Sequence, residues 1–355
     1  MKTRILFLMC AKKIILYILS GIVLLFLIFL LYFTLSEYDP EREQVIENNN
    51  DAKIIRQKTF HVLIWNIGYC GLGADMSFFY DGGDQVRTSK ENTIKNMHEI
   101  IEILDHQRNF DFILLQEVDL SSKRSYYIDQ FNHINHHLND LSGYFVKNYD
   151  VQFVPIPFRS PLGKVKSGLA TFSRFTPKKV TRRDFPGEYS WPKRVFMLDR
   201  CFLVLRYPLP NDKELLIVNT HNSAYDNGKL KEQEMSYLRE FLLREYNKGN
   251  YIISGGDWNQ YPPGINNMPE IISQYELEDA SVIEDDLMPP GWKWMFDAKI
   301  PTNRSLKEPF NKATQTGIID FYLLSPNING LKVKTTDLNF SNSDHQPVSL
   351  SFTID

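Results

Sequence analysis

The sequence predicts an α/β domain carried behind one N-terminal membrane-spanning helix. Three observations predict it. Ile14 to Leu35 runs for 22 residues without a charge, which is long enough to cross a bilayer as a helix. From Thr59 onward, short apolar runs of strand character recur, with amphipathic helical spacing between them. No second linker, repeat or low-complexity segment divides the roughly 300 residues that follow, so they read as one domain.

The elements follow in chain order. Lys2, Arg4, Lys12 and Lys13 precede the apolar run, and Glu37, Asp39, Glu41 and Glu43 follow it. A basic flank stays in the cytoplasm. The expected topology is therefore a cytoplasmic segment 1–13, a single-pass anchor 14–35 and an extracytoplasmic remainder. A cleaved signal peptide is the rival reading. It would have a shorter apolar core ending at a small-x-small site, and only Thr34 and Ser36 resemble one. Residues 36–58 are polar, charged and Asn-rich, as a linker or stalk would be. The domain is expected over 59–355. Its strands are expected at His61–Trp65, Asp111–Leu115, Glu214–Val218, Tyr251–Ile253, Gly317–Leu324 and the final "PVSLSFT", where Val348, Leu350 and Phe352 alternate. Helices are expected around Ile94, Met97, Ile101 and Leu104, around Ile128, Phe131, Ile134 and Leu138, and around Met235, Leu238 and Leu242.

Composition sets outer limits. The 355 residues are 43% hydrophobic and 13% aromatic, ample for a large core, and the net charge of −3 makes no general demand for a nucleic-acid partner. The three cysteines, Cys10, Cys70 and Cys201, fit neither a metal spacing nor a disulfide framework. Cys70 and Cys201 read as free thiols, with a bridge between them as the alternative. His133, His136 and His137 read as a solvated helix face, with a metal site as the alternative.

Polar residues gather at the strand ends. "HVLIWNIG" delivers Asn66, "DFILLQEVD" delivers Glu117, and "ELLIVNTHNS" delivers Asn219 and His221. "YIISGGDWN" is a strand expected to stop on its two glycines, turning the chain so that Asp257 and Asn259 face a ligand. "GIIDFYLLS" places Asp320 inside an apolar run, and "SNSDHQPV" places Asp344 and His345 before the last strand. Asn66 and Asn219 also fit a simple capping role. Buried acids such as Glu117 and Asp320 are costly without partners, which favours a functional reading. Strand ends of this kind collect at one edge of a sheet, where ligands bind.

The chemistry that needs this set is hydrolysis of a phosphate ester. A hard divalent cation takes carboxylate and carbonyl oxygens, and Asn66, Glu117, Asp257 and Asp344 supply them. His345 or Asp257 would accept the proton of an attacking water, and Asp320 would hold the imidazole in the needed tautomer. His221 and Asn259 would donate to the non-bridging oxygens. There is no Gly-x-Ser-x-Gly elbow, and "SGGDWNQ" lacks the Lys-Ser/Thr of a phosphate-cradling loop.

The ordered motifs "WNIG", "LLQEVD", "SGLATFSR", "VNTHNS", "GGDWN", "IIDF" and "SDHQPV" resemble the endonuclease/exonuclease/phosphatase superfamily, which includes nucleases and sphingomyelinases. With the apolar helix, the chain is similar to a membrane-anchored, bacterial-type member. The resemblance implies a four-layer α/β/β/α sandwich of two mixed sheets. It also implies hydrolysis of a phosphodiester or phosphomonoester by an activated water, dependent on Mg²⁺ or alternatively Mn²⁺. It implies metal-side ligands at Asn66, Glu117 and Asp344, and a catalytic histidine at His221. Asp257 would orient or activate the nucleophile, Asn259 would bind phosphate, and Asp320 would pair with His345. The loop "PTNR", Pro301 to Arg304, resembles one that lies near the scissile phosphate.

Three further stretches have two readings each. The run from Arg159 to Arg206 holds 12 basic residues against the acids Asp184, Glu188 and Asp199. It is a solvated face or an attractor for an anionic substrate, with Arg194 and Arg200 the candidates for contact. Gly68 to Asn92, with Phe78 and Phe79, is a substrate-facing wall or a self-packed excursion. Pro289 to Asp297, with two tryptophans, stacks on a substrate or covers the core edge. The expected partners are the membrane and one phosphate-ester class: nucleic acid, a phospholipid headgroup or a small phosphorylated molecule. The chain is expected to act as a monomer. A non-catalytic phosphate- or lipid-binding module on the same fold is the alternative function.

Overall fold

The computed structural model describes residues 2–106, 109–187, 189–224, 229–265 and 280–354. Of the residues singled out above, Glu188 lies outside them. The first helix, α1 (Lys2–Leu35), is followed by β1 (Glu43–Asn48), β2 (Thr59–Asn66), α2 (Lys90–His106), β3 (Phe112–Asp119) and α3 (Gln130–His137). Then come β4 (Ser142–Val154), β5 (Gly163–Ser173), β6 (Lys179–Asp184), β7 (Cys201–Pro208), β8 (Glu214–His221), α4 (Lys229–Asn247) and β9 (Tyr251–Asp257). The chain ends with β10 (Lys293–Met295), β11 (Asn303–Arg304), β12 (Thr316–Gly317), β13 (Asp320–Leu324), β14 (Ile328–Thr335) and β15 (Val348–Ile354).

Two mixed sheets form. One runs β14-β15-β2-β3-β5-β4 and the other β1-β6-β7-β8-β9-β13-β10, while β11 and β12 make a separate ribbon. Each large sheet has one parallel pair, β2 with β3 and β8 with β9. Each pair is joined by a crossover that contains a helix, α2 or α4, as parallel strands require.

Strand alternation explains the layers. On β2, Phe60, Val62 and Ile64 join the core between the sheets, while Leu63 and Trp65 pack on the outer face with Met97, Ile100 and Leu104 of α2. On β8, Leu215 and Ile217 face inward, and Leu216 and Val218 meet Met235, Leu238 and Phe241 of α4. The expected α/β/β/α sandwich is therefore the architecture found, with three apolar seams between four layers.

α1 is one helix long and apolar enough to cross a membrane, over Phe7–Leu35. Its last turns touch the domain. Leu30 and Phe33 are buried, the Phe33 ring lies 5.4 Å from that of Phe196 and 6.4 Å from that of Phe153, and Trp191 donates to Thr34 Oγ1 at 3.1 Å.

The segment 36–58, expected as a free linker, is instead part of the folded unit. β1 pairs antiparallel with β6, and Ile55 is buried in the central core. Backbone pairing and the buried Ile55 hold it there, and charge complementarity across the sheet edge adds to them. Glu43 sits opposite Arg183 and pairs with it and with Lys179. A composition that reads as a solvated stalk is here an acidic edge strand laid on a basic one. Cys70 and Cys201 are free, buried and in different apolar clusters, so no bridge joins them.

α4 is tied to its sheet by Glu245, which accepts from Arg206 and Lys248, each at 2.9 Å. Burial opposes the Glu245 charge, but these two cations hold its pKa down, from 4.5 to about 2. A depressed carboxylate stabilises fully above its unfolded pKa and loses that contribution as pH falls through the folded one. Glu245→Gln is therefore expected to lower the melting temperature of the detergent-solubilised chain at neutral pH. The difference from the parent should shrink as pH drops from 4.5 towards 2, as read by circular dichroism.

Candidate active site

The alternation that builds the inner core also loads the end of that core with polar groups. On β9, Ile253 faces inward and Asp257 continues that side at the strand end. On β13, Leu324 and Tyr322 face inward and Asp320 is next in that row. Parallel pairing sets His221 of β8 beside Asp257, and antiparallel pairing sets Asp320 opposite it. Asn66 reaches the same point from the other sheet, and donates to Asp257 Oδ2 at 3.0 Å.

Glu117 arrives differently. The register of β3 against β5 shifts between Leu115 and Val118, and Glu117 has φ +55. A bulge of this kind re-aims a side chain, and the left-handed backbone is a local strain held in place by its surroundings. Its carboxylate oxygen Oε1 lies 3.5 Å from Asn66 Nδ2.

The two glycines before Asp257 do not end the strand, contrary to expectation; β9 runs through both. They permit close approach instead. A Cβ on Gly255 would stand 2.6 Å from the Tyr322 ring, and one on Gly256, at φ +149, would stand 2.0 Å from the Thr220 carbonyl oxygen. Only a residue without a side chain fits either place.

Asp257 is the centre of the cluster. Its Oδ2 lies 3.4 Å from His221 Nε2 and 3.6 Å from His345 Nε2, and its Oδ1 accepts from the Asn259 backbone at 2.9 Å. His345 Nδ1 bonds Asp320 Oδ2 at 2.8 Å, while Thr302 Oγ1 accepts from the Asp320 backbone N–H at 3.0 Å and fixes that strand end. His345 Nε2 faces the Asn303 amide at 2.9 Å, an arrangement that calls for a lone pair on the ring.

Charge states follow from burial and neighbours. Burial opposes a proton on His345, yet Asp320, Asp257 and Asp344 together push its pKa well above 6.5. His345 Nε2 thus stands between an amide that favours its lone pair and carboxylates that favour its proton. His221 goes the other way: burial, then Arg200 and His345, push it well below 6.5, which favours the neutral imidazole. Burial pushes Asp344 up to about 7, against the pull of His345, and the nearby Glu117 charge pushes it in the same direction.

All eight residues expected at the site reach one region, but not all to the same end. Asn259 lines the cleft, with its Nδ2 turned to the Asn222 carbonyl at 2.8 Å. Asn219, also read as a strand-end group, braces the sheets: it accepts from Gln116 at 2.7 Å and donates to Leu115 and Ala170 carbonyls. Gln346 braces its loop by donating to the Pro301 carbonyl at 3.0 Å.

Above the cluster is a cleft of ≈ 240 Å³. One wall is the stretch 68–92, through Tyr69, Leu72, Phe78 and Tyr80. Buried Arg304 pins that wall by donating to the Gly73 and Met76 carbonyls at 2.7 and 3.2 Å. Arg200 lines the cleft, whereas Arg194 pairs with Glu37 at 2.9 Å outside it. Much of the basic run is spent on internal pairs, such as Arg206 with Glu214 and Arg183 with Glu43. Trp292 and Trp294 pack on the outer core by α4 and cover its edge. His133, His136 and His137 lie exposed on α3.

Sequence reasoning missed Arg124. It forks onto Asp119 at 3.0 and 3.2 Å, lies 3.6 Å from Glu117, and stacks 3.8 Å over the Tyr69 ring. Its position seven residues after Glu117 carries no local signal; only the fold brings the two together.

The donors suit a hard cation. Among the described residues, the one tight group of possible ligands is Asp257, Asp320 and His345, in which Asp320 Oδ2 already holds His345 Nδ1 while Asp320 Oδ1 has no hydrogen-bond partner. Asp344 remains a buried carboxylate whose Oδ1 has the Ser343 hydroxyl at 3.3 Å, with Glu117 raising its pKa further. Glu117, Asp257 and Asp344 gathered at one cleft suit a divalent ion. Asn66 turns its Nδ2 to Asp257 and its Oδ1 to the Gly68 N–H at 3.0 Å, and His345 Nε2 lies 3.9 Å from Asp344.

The profile of the Endonuclease/Exonuclease/phosphatase family matches residues 63–306, well over half of the chain. The chain belongs to that family. Its members are phosphoesterases, which agrees with the reaction class expected from the strand ends. No curated protein sequence matches the chain significantly. Among solved structures, an endonuclease/exonuclease/phosphatase from Beutenbergia cavernae is 14% identical over 84% of this chain and 72% of its own, with a TM-score of 0.54. One from Bacteroides vulgatus is 14% identical over 84% of this chain and 100% of its own, with a TM-score of 0.51. ANGEL2, a 2′,3′-cyclic phosphatase crystallised with adenosine-2′,3′-vanadate, is 15% identical over 88% of this chain and 99% of its own, also at 0.51. These likenesses show the fold that the family member shares.

Arg124→Met in this phosphoesterase leaves the fully buried Asp119 carboxylate without its cation. The expected loss is about 3–5 kcal/mol of unfolding free energy in urea; an unchanged midpoint would contradict the pairing.

Proposed function

We propose that the protein hydrolyses a phosphoric ester with a divalent cation, Mg²⁺ or Mn²⁺, held by Asn66, Glu117, Asp257 and Asp344. The observation that carries this reading is the convergence on Asp257 Oδ2 of Asn66, His221 and His345, all within 3.6 Å, in a cleft also lined by Glu117 and Asp344. When bound, the cation polarises a phosphoryl oxygen and offsets charge that grows in the transition state.

The chain's own residues supply the rest. Asp257 orients the attacking water and takes its proton, since two backbone and side-chain N–H groups hold its carboxylate in place. His345, locked by Asp320 through Nδ1, presents Nε2 to the reacting groups and delivers a proton to the leaving oxygen. His221 and Asn259 donate to the non-bridging oxygens. Arg200 adds a cation at the wall.

The apolar α1 is read as a retained single-pass anchor, with Lys12 and Lys13 on the cytoplasmic side and the domain outside. On this reading residues 1–13 are cytoplasmic, 14–35 are the anchor and the catalytic unit that follows includes β1.

Two experiments test this. The purified full chain in detergent is expected to hydrolyse bis-p-nitrophenyl phosphate with Mg²⁺ and to stop on EDTA. Asp257→Ala and His345→Ala should each lose about 10²- to 10⁴-fold in kcat. Activity retained in both variants would overturn the site assignment. In intact cells, external protease should degrade the domain; protection would reverse the orientation.

A further inference from the structure

We propose that the substrate is a membrane phospholipid whose headgroup phosphodiester enters the cleft directly from the bilayer that holds α1. This rests on the phosphoesterase reading above and names its substrate class.

The first observation is that the anchor is docked, not tethered by a loose stalk. Ile14–Leu35 runs for 22 residues without a charge, about the length that crosses a hydrocarbon core. Its last turns lie against the domain: Phe29 and Phe33 pack near Phe196, Phe33 near Phe153, and just past the helix Glu37 pairs with Arg194. The domain surface around Phe153, Trp191 and Phe196 is thereby fixed at the level where α1 leaves the membrane.

The second observation is the character of that surface. The loop between β4 and β5 starts two residues past Phe153 and carries Ile156 at 45% and Phe158 at 94% exposure. Trp191, beside Thr34 of α1, is 54% exposed. Arg159 and Lys193 are exposed among them. Exposed Phe, Ile and Trp interleaved with basic residues, next to a membrane helix, suit the interfacial zone: rings enter the headgroup layer and cations meet lipid phosphates.

The third observation links this surface to the chemistry. Val195 and Phe196 pack towards α1, and the next residues, Met197, Leu198 and Arg200, line the catalytic cleft. Leu162, which closes the Phe158 loop by donating to the Ile156 carbonyl at 2.9 Å, lines it too. The cleft's apolar wall is thus continuous with the membrane-level face, and a headgroup has a short path from lipid to Asp257. A duplex nucleic acid would need a broad free basic face, whereas much of the basic run here is internally paired.

The reaction balances simply. Water adds to phosphorus, one P–O ester bond breaks, the water proton passes to Asp257, and the leaving alkoxide takes a proton from His345. The products are a phosphomonoester and an alcohol.

The test uses the full chain reconstituted into vesicles of phosphatidylcholine, phosphatidylglycerol and sphingomyelin with Mg²⁺. Release of phosphomonoester or lipid alcohol is measured, with plasmid DNA and bis-p-nitrophenyl phosphate assayed in parallel. Lipid turnover is expected, and Phe158→Ser should lower it roughly tenfold, the order set by one aromatic ring kept out of the interface. The same variant should hydrolyse bis-p-nitrophenyl phosphate as the parent does, because Phe158 touches neither the site nor the core. Hydrolysis of bis-p-nitrophenyl phosphate without lipid turnover would overturn the lipid substrate alone, as would cleavage of DNA in place of lipid. Equal lipid turnover in Phe158→Ser would overturn the role of the rim. Failure on bis-p-nitrophenyl phosphate and lipid alike would overturn the phosphoesterase reading itself.

Discussion

A carboxylate placed between two sheets has to be answered from both of them. Asp257 ends the inward row of β9, fully enclosed, and its partners come from every side: Asn66 from the facing sheet, His221 from the neighbouring strand, His345 from the loop before the last strand. Further in, the core between the sheets is mostly apolar, with Gln116, Asn219 and Thr171 bonded to one another across it. The sandwich therefore has one end where its seam must be polar, and the partners must hold their places or the burial is unfavourable. That requirement explains the bulge at Glu117, the glycines that let β9 sit close to its neighbours, and the Thr302 clamp on Asp320.

The strand ends were legible in the sequence because alternation is a local property. Asn66, His221, Asp257 and Asp320 each follow or interrupt an apolar run, and a period of two tells which side of the strand they extend. Glu117 reaches the site through its bulge, and Asp344 and His345 through the loop before the last strand. The layers were legible for the same reason, since helices such as Lys90–His106 and Lys229–Asn247 carry one apolar face.

What was not legible depends on partners far along the chain. Gly255 and Gly256 read as a stop because glycine breaks local patterns; their purpose is set by the Tyr322 ring and the Thr220 carbonyl. Arg124 gains meaning only when Asp119 and Tyr69 surround it. The acidic, Asn-rich segment after the anchor looked solvated because its complement, the basic β6, lies more than a hundred residues away. That pairing takes up Arg183 and Lys179, and other acids take up Lys178, Arg182, Arg194 and Arg206, so less of the positive charge is available to a substrate than the sequence suggests.

The account stands on the claim that this polar end of the seam is a metal-dependent hydrolytic centre. Anomalous X-ray diffraction from crystals of the chain grown with Mn²⁺ tests it most directly. The account predicts a peak in contact with the Glu117 carboxylate, within reach of Asp344, and lost in Glu117→Gln crystals. Crystals at saturating Mn²⁺ with no peak there, or with a peak that survives Glu117→Gln, would contradict it.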